Sequence, residues 1–187
     1  VASTLRGLAL LCREQGRYDE AEPLYQRALA IYEEALGEDH PDVASTLRGL
    51  ANLYRQQERY DEAEPHFLRA LAIYEKALGE DHPSVATLLD NLAALYEKQG
   101  HFDKAESRYQ RALAIKEKAL GEDDPDVAQS LYNLAELYRV QGRYGKADPL
   151  YRRVLTIFEA LLGSDHPSTR TFRANYEQMK HDREGEA

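Results

Sequence analysis

Between Val43 and Gln57 the apolar positions are Val43, Leu47, Leu50, Ala51, Leu53 and Tyr54, a spacing that gathers them on one side of a helix. Pro41 suits the first turn, where no backbone donor is needed, and Asp42 suits the positive end of the helix dipole. We term this element helix A. A break is expected at Glu58-Arg59-Tyr60. Helix B then runs from about Asp61 to Leu78, with Ala63, Phe67, Ala70, Leu71, Ile73, Tyr74 and Leu78 as its apolar set. Pro65 is expected near its first turn, where proline is best tolerated, and Gly79 as its stop. The loop Glu80-Asp81-His82-Pro83 leads into the next helix A, and no segment alternates as a strand would.

This pattern returns every 42 residues. Val-Ala-Ser-Thr-Leu-Arg-Gly-Leu-Ala begins at Val1 and again at Val43, and Gly-Glu-Asp-His-Pro begins at Gly37 and Gly79, with close variants at Gly121 and Gly163. The units are 1–42, 43–84, 85–126 and 127–168, followed by a partial repeat or capping helix at 169–183 and a polar tail at 184–187. Such a period points to a solenoid, one continuous domain in which each unit buries its apolar face against its neighbours. Where the second copy breaks at Glu58, the others place Gly16, Gly100 and Gly142, which allow the left-handed conformation that ends a helix. Alanine marks helix A (Ala9, Ala51, Ala93, Ala135) and the start of helix B (Ala21, Ala63, Ala105, Ala147), letting helices approach closely. Tyr25, Phe67, Tyr109 and Tyr151 fill the space between. Cys12 stands where the other copies carry Tyr54, Tyr96 and Tyr138, and reads as a small core residue.

Leu-x-x-Leu-Ala-x-x-Tyr, then Gly-x-Tyr-x-x-Ala, then Tyr-x-x-Ala-Leu resembles the tetratricopeptide repeat. The 42-residue period, the segment Ala21–Glu33 and the segment Leu36–Ala44 resemble the variant found in kinesin light chains. The closing stretch from Thr169 to Tyr176 is more similar to prokaryotic members, in which such arrays often form the sensing end of a larger protein. The resemblance implies an all-α fold, an α-solenoid wound as a right-handed superhelix of about four and a half helix-turn-helix units with a C-terminal capping helix. It also implies a protein-binding scaffold whose A helices line the concave face.

Contact residues are then expected on the side of helix A opposite its leucines. The expected peptide-binding set is Arg6, Arg13, Arg48, Asn52, Arg55, Asn91, Tyr132, Asn133, Arg139 and Asn175. Asn91, Asn133 and Asn175 stand 42 apart and offer both donor and acceptor to a peptide backbone, or else bond neighbouring repeats. At the same register the first two copies carry Gly7 and Gly49. Glycine within a helix costs about 1 kcal/mol against alanine, so its recurrence implies a need for space, for a neighbouring helix or for a ligand. Arg6, Arg13, Arg48 and Arg55 form a positive stripe suited to carboxylates, or a solvated face of weak Glu–Arg pairs.

Composition narrows the partners. A net charge of −9 argues against nucleic acid and anionic membrane, and no apolar run approaches the ~20 residues of a membrane span. A single cysteine is compatible with a reducing compartment, and a cytoplasmic location is expected. His40, His82 and His166 stand about one layer apart, too far to share a metal, and are expected to orient the loop before proline. Arg27, Arg69, Arg111 and Arg153 lie on helix B and read as structural ion pairs. With no phosphate loop, calcium loop or nucleophile set, neither cofactor nor enzymatic activity is expected. Val1 opens in repeat register with an apolar flank exposed, so preceding repeats, another domain or self-association through that front are expected.

Overall fold

The computed structural model describes residues 1–185. Its helices are α1 (Ala2–Glu14), α2 (Tyr18–Leu36), α3 (Pro41–Gln56), α4 (Tyr60–Leu78), α5 (Pro83–Lys98), α6 (Phe102–Leu120), α7 (Pro125–Val140), α8 (Tyr144–Leu162) and α9 (Pro167–Gly185), and no strand occurs among the described residues. Odd-numbered helices are the A helices and even-numbered ones the B helices of the sequence pattern. The start of the expected polar tail, Glu184 and Gly185, is the end of α9, and the rest of that tail lies outside the described residues.

The loop histidines cap helices. The Nδ1 atom of His40 accepts from the backbone N–H of Asp42 at 3.1 Å, His82 from Ser84 at 3.1 Å and His166 from Ser168 at 3.2 Å. In the third loop the carboxylate of Asp124 does the same for Asp126 at 2.8 Å. Each satisfies a donor that the first helical turn leaves open, and proline follows at once, where its missing N–H is not needed. The A helices end in the left-handed conformation at Gly16, Gly100 and Gly142, and in the second copy Glu58 takes the same conformation at φ 60°. One expectation needs correcting. Pro23, Pro65 and Pro149 sit inside their B helices, in the second turn, because those helices begin at Tyr18, Tyr60 and Tyr144.

The chain forms two compact units, the first Val1–Gly100 and the second beginning at His101. Within the first, α1 packs on α2 and α3 on α4 as hairpins, while α2 lies against α3 and α4 against α5. The A helices also touch side by side, α1 with α3 and α3 with α5. Within the second unit, α6 lies against α7, α7 pairs with α8, and α8 lies against α9. The repeated alanines of both helix types are fully buried, as are the bulky residues Tyr25, Phe67, Tyr109 and Tyr151 beside them. Alanine at the crossings and an aromatic next to them let the layers interlock without voids.

A hydrogen bond between adjacent repeats recurs. The Tyr54 hydroxyl donates to Glu22 at 2.9 Å, Tyr96 to Glu64 at 2.8 Å and Tyr138 to Glu106 at 2.8 Å. Arg59 and Arg143 cover the rings of Tyr54 and Tyr138 and pair with the same carboxylates, at 2.8 and 2.5 Å. At α9 the arrangement slips by one turn, and Tyr176 donates to Asp148 at 2.8 Å. In the first copy Cys12 is buried and its sulfur accepts from Arg17 at 3.2 Å. The front of the first unit differs from the interior: Leu8 is 46% and Leu11 53% exposed, whereas their equivalents Leu50 and Leu53 are 2% and 0%.

Candidate functional site

Of the residues expected to line a groove in the first two copies, Arg6, Arg13, Arg48 and Asn52 border one cavity, whereas Arg55 is not among its lining residues. The cavity lies between α1 and α3 and has a volume of about 360 Å³. Ser3, Arg6, Gly7, Leu10 and Arg13 line it from α1, and Ser45, Arg48, Gly49 and Asn52 from α3. The helical period places these positions on one side of each A helix, one turn apart, which is why both contribute the same register. Tyr25 of α2, absent from the sequence-based set, forms part of the wall.

The two glycines have different neighbours. A Cβ on Gly49 would stand 2.5 Å from a ring carbon of Tyr25, so close packing explains that glycine. A Cβ on Gly7 would meet nothing within 4 Å, so there the missing side chain leaves the cavity open. Tyr25 is only 1% exposed. Burial pushes its hydroxyl pKa up, against the opposing pull of Arg13, Arg48 and Arg6, so it stays a neutral donor.

Charge in the cavity is only partly balanced. Arg6 donates to Asp42 at 2.9 Å. The Arg13 side chain is 16% exposed, its Nε is buried without an acceptor, and its Nη2 stands 3.9 Å from the exposed carboxylate of Glu14. Asn52 donates to the Arg48 backbone carbonyl at 3.0 Å and accepts from Arg55 Nη2 at 3.2 Å, so it serves its own helix and steadies Arg55. Asn91 is half-buried on α5.

In the second unit the corresponding side chains engage one another. Asn175 donates its amide to the Tyr132 hydroxyl at 2.8 Å. The Tyr132 ring meets Tyr151 and Phe172 edge-on, at 6.0 and 5.0 Å. Burial and the Glu136 carboxylate push the Tyr132 pKa up to about 12. Tyr151 also donates to Glu136 and is raised further, mainly by burial. Arg139 is tied to Glu136 and to Asp182, both at 2.9 Å, and Asn133 accepts from Gln129 at 2.9 Å. Tyr132, Asn133, Arg139 and Asn175 therefore have partners within the chain, as Arg6, Asn52 and Arg55 do in the first unit.

The B-helix arginines are structural as expected where their partners are visible: Arg69 pairs with Glu33 at 2.7 Å and Arg153 with Glu117 at 2.5 Å. Sequence reading missed the Tyr–Glu bonds between repeats, although Glu22, Glu64 and Glu106 recur at the repeat period.

Stacked helix pairs with an A-helix face open to a ligand define a repeat scaffold, and comparison with known proteins names its class. One tetratricopeptide repeat model matches residues 1–76 and 42–118, and a second matches 127–168. The chain belongs to the tetratricopeptide repeat family. Its similar solved structures are of the kinesin light chain-like kind. The crystal structure of BtubC (BKLC) from P. vanneervenii is 32% identical with a TM-score of 0.80, over 89% of this chain and 66% of that one. The chain thus spans just under two thirds of that relative's length. Two crystal structures of a candidate kinesin light chain from Podosopora anserina, with nearly identical TPR-like repeats, are 26% identical with a TM-score of 0.85, over 96% of this chain and 85% of theirs. These likenesses make the fold an all-α solenoid of tetratricopeptide units. No curated protein matches the chain.

Proposed function

We propose that this chain binds an extended, acidic peptide along the A-helix face of its first unit, as a non-enzymatic module in the cytoplasm. Tetratricopeptide arrays are in general scaffolds for protein–protein interaction, typically without enzymatic activity. The observation that carries the reading is the cavity between α1 and α3, lined by Arg6, Arg13 and Arg48 in a chain of net charge −9. A positive patch on an acidic surface attracts an acidic ligand selectively, and guanidinium forks hold carboxylates with two parallel bonds. Asn52 and Asn91 lie on the same side of the following A helices and suit a peptide backbone. No described helix is long and apolar enough to cross a membrane.

The test is titration of randomised acidic and basic peptide pools against the wild type and an Arg48→Glu, Arg55→Glu double variant. The acidic pool is expected to bind and the double variant to weaken it by at least about tenfold. Indifference to both pools, or unchanged acidic binding by the variant, refutes the proposal.

A further inference from the structure

We infer that the cavity between α1 and α3 is a subsite for a phosphate monoester, carried as a phosphorylated side chain on the peptide that lies along this face. The inference rests on the proposed peptide groove and specifies what its most positive point accepts. Arg6, Arg13 and Arg48 line one cavity from two helices, together with the hydroxyl-bearing residues Tyr25, Ser3 and Ser45, and none of its lining residues is acidic. Arg13 has a buried Nε with no acceptor. No ion pair joins Arg48 to a carboxylate among the described residues. Between two helices water screens charge less than at the open surface, so an anion entering the cavity gains more there.

The number and direction of the donors favour phosphate over carboxylate. A carboxylate presents two oxygens in one plane and satisfies one guanidinium fork. A phosphate monoester presents three terminal oxygens in a tetrahedral array with a charge of about −1.5 to −2 at neutral pH. Three arginines line the cavity from α1 and α3, one of them, Arg6, also held by Asp42 and the Tyr32 ring, and together they supply charge for such a dianion. Gly49 lets the Tyr25 ring and hydroxyl lie flush against α3 in the cavity wall, and a Cβ at Gly7 would meet nothing within 4 Å. The volume of about 360 Å³ accommodates the phosphate with the side chain that bears it.

The experiment titrates phenyl phosphate and benzoate, by calorimetry at low salt, into the wild type, Arg48→Gln and Tyr25→Phe, with circular dichroism confirming the fold of each. Phenyl phosphate is expected to bind at least about tenfold tighter than benzoate, Arg48→Gln to weaken it about tenfold, and Tyr25→Phe by a few-fold. Phosphate affinity should also rise between about pH 5.5 and 7.5, as the second proton leaves near pH 6. Benzoate is the reference for the protein's own titratable groups here, Tyr25, Glu14 and Asp42, the last with His40 at 3.6 Å. Equal binding of the two probes, or an unchanged Arg48→Gln, overturns the inference. Phosphoserine peptide pools should outbind free phosphoserine; parity overturns the placement of the phosphate on a peptide. Unphosphorylated acidic pools that bind while phenyl phosphate does not sink the subsite alone. Phenyl phosphate binding with indifferent acidic pools keeps the subsite and sinks the acidic-peptide groove.

Discussion

Gly7 and Gly49 occupy the same place in two identical stretches of sequence, yet alanine should act oppositely at them. Both lie within A helices, so alanine gains about 1 kcal/mol of helix propensity at either. At Gly7 that gain stands alone, because the new methyl meets nothing within 4 Å. At Gly49 the methyl would fall 2.5 Å from one Tyr25 ring carbon and 2.9 Å from the next. That ring is 1% exposed and cannot simply swing to solvent. Overpacking of this kind costs about 1–3 kcal/mol, so Gly49→Ala should be neutral or destabilising by up to about 2 kcal/mol net. For a chain of this length 1 kcal/mol moves the midpoint by about 2–4 °C. Thermal unfolding by circular dichroism should therefore show Gly7→Ala melting about 2–4 °C higher and Gly49→Ala unchanged or lower. Equal gains in the two variants would refute the packing of Tyr25 against α3, and with it the wall of the cavity.

Other consequences follow from single residues. Glu58 holds a left-handed backbone at φ 60°, which costs an L-residue about 1–2 kcal/mol, so Glu58→Gly should raise stability by about 0.5–1 kcal/mol after the greater freedom of the unfolded chain is deducted, and a loss in denaturant unfolding would contradict this. Tyr54→Phe removes the bond to Glu22 and should lower stability by about 1 kcal/mol, whereas no change would mean that the bond adds nothing to the interface between repeats. His66, stacked on Tyr54 at 5.6 Å, has its pKa lowered chiefly by burial and further by Arg69, with Glu62 opposing. The folded state therefore favours the neutral ring, and stability is lost as pH falls from the ordinary histidine value of about 6.5 through the lowered one. Replacing His66 by leucine, as at Leu24 and Leu150, should flatten that part of the stability-against-pH curve; an unaltered slope would contradict the assignment.

The helix pairs were legible because the repeat and the helical period coincide: the A helices α1, α3, α5 and α7 carry their leucines at recurring positions, and those from Leu47 onward are buried. That the loop histidines order the loop was legible from their place before proline, whereas their capping of the next helix through Nδ1 was not. The role of Gly49 was not, because it depends on the neighbouring repeat and not on its own sequence: it faces Tyr25 of the preceding repeat. The Tyr–Glu bonds escaped for a related reason. Tyr54 and Glu22 are 32 residues apart, a separation that is neither a helical spacing nor the repeat period and becomes visible only once the helices are stacked. Tyr132 and Asn175 stand at the expected contact register of their own A helices, and their bond to each other was not legible. Phe172 and Tyr151 surround Tyr132, and that aromatic group follows from α9 lying beside α7.

The most direct test of the ligand face is amide chemical-shift mapping of the protein during titration with the acidic peptide pool. The account predicts the largest shifts at Gly7, Ser45 and Gly49, with little change along α2 and α4 away from Tyr25. Shifts concentrated on the B helices, or on Tyr132 and Asn175 with α1 and α3 silent, would contradict it.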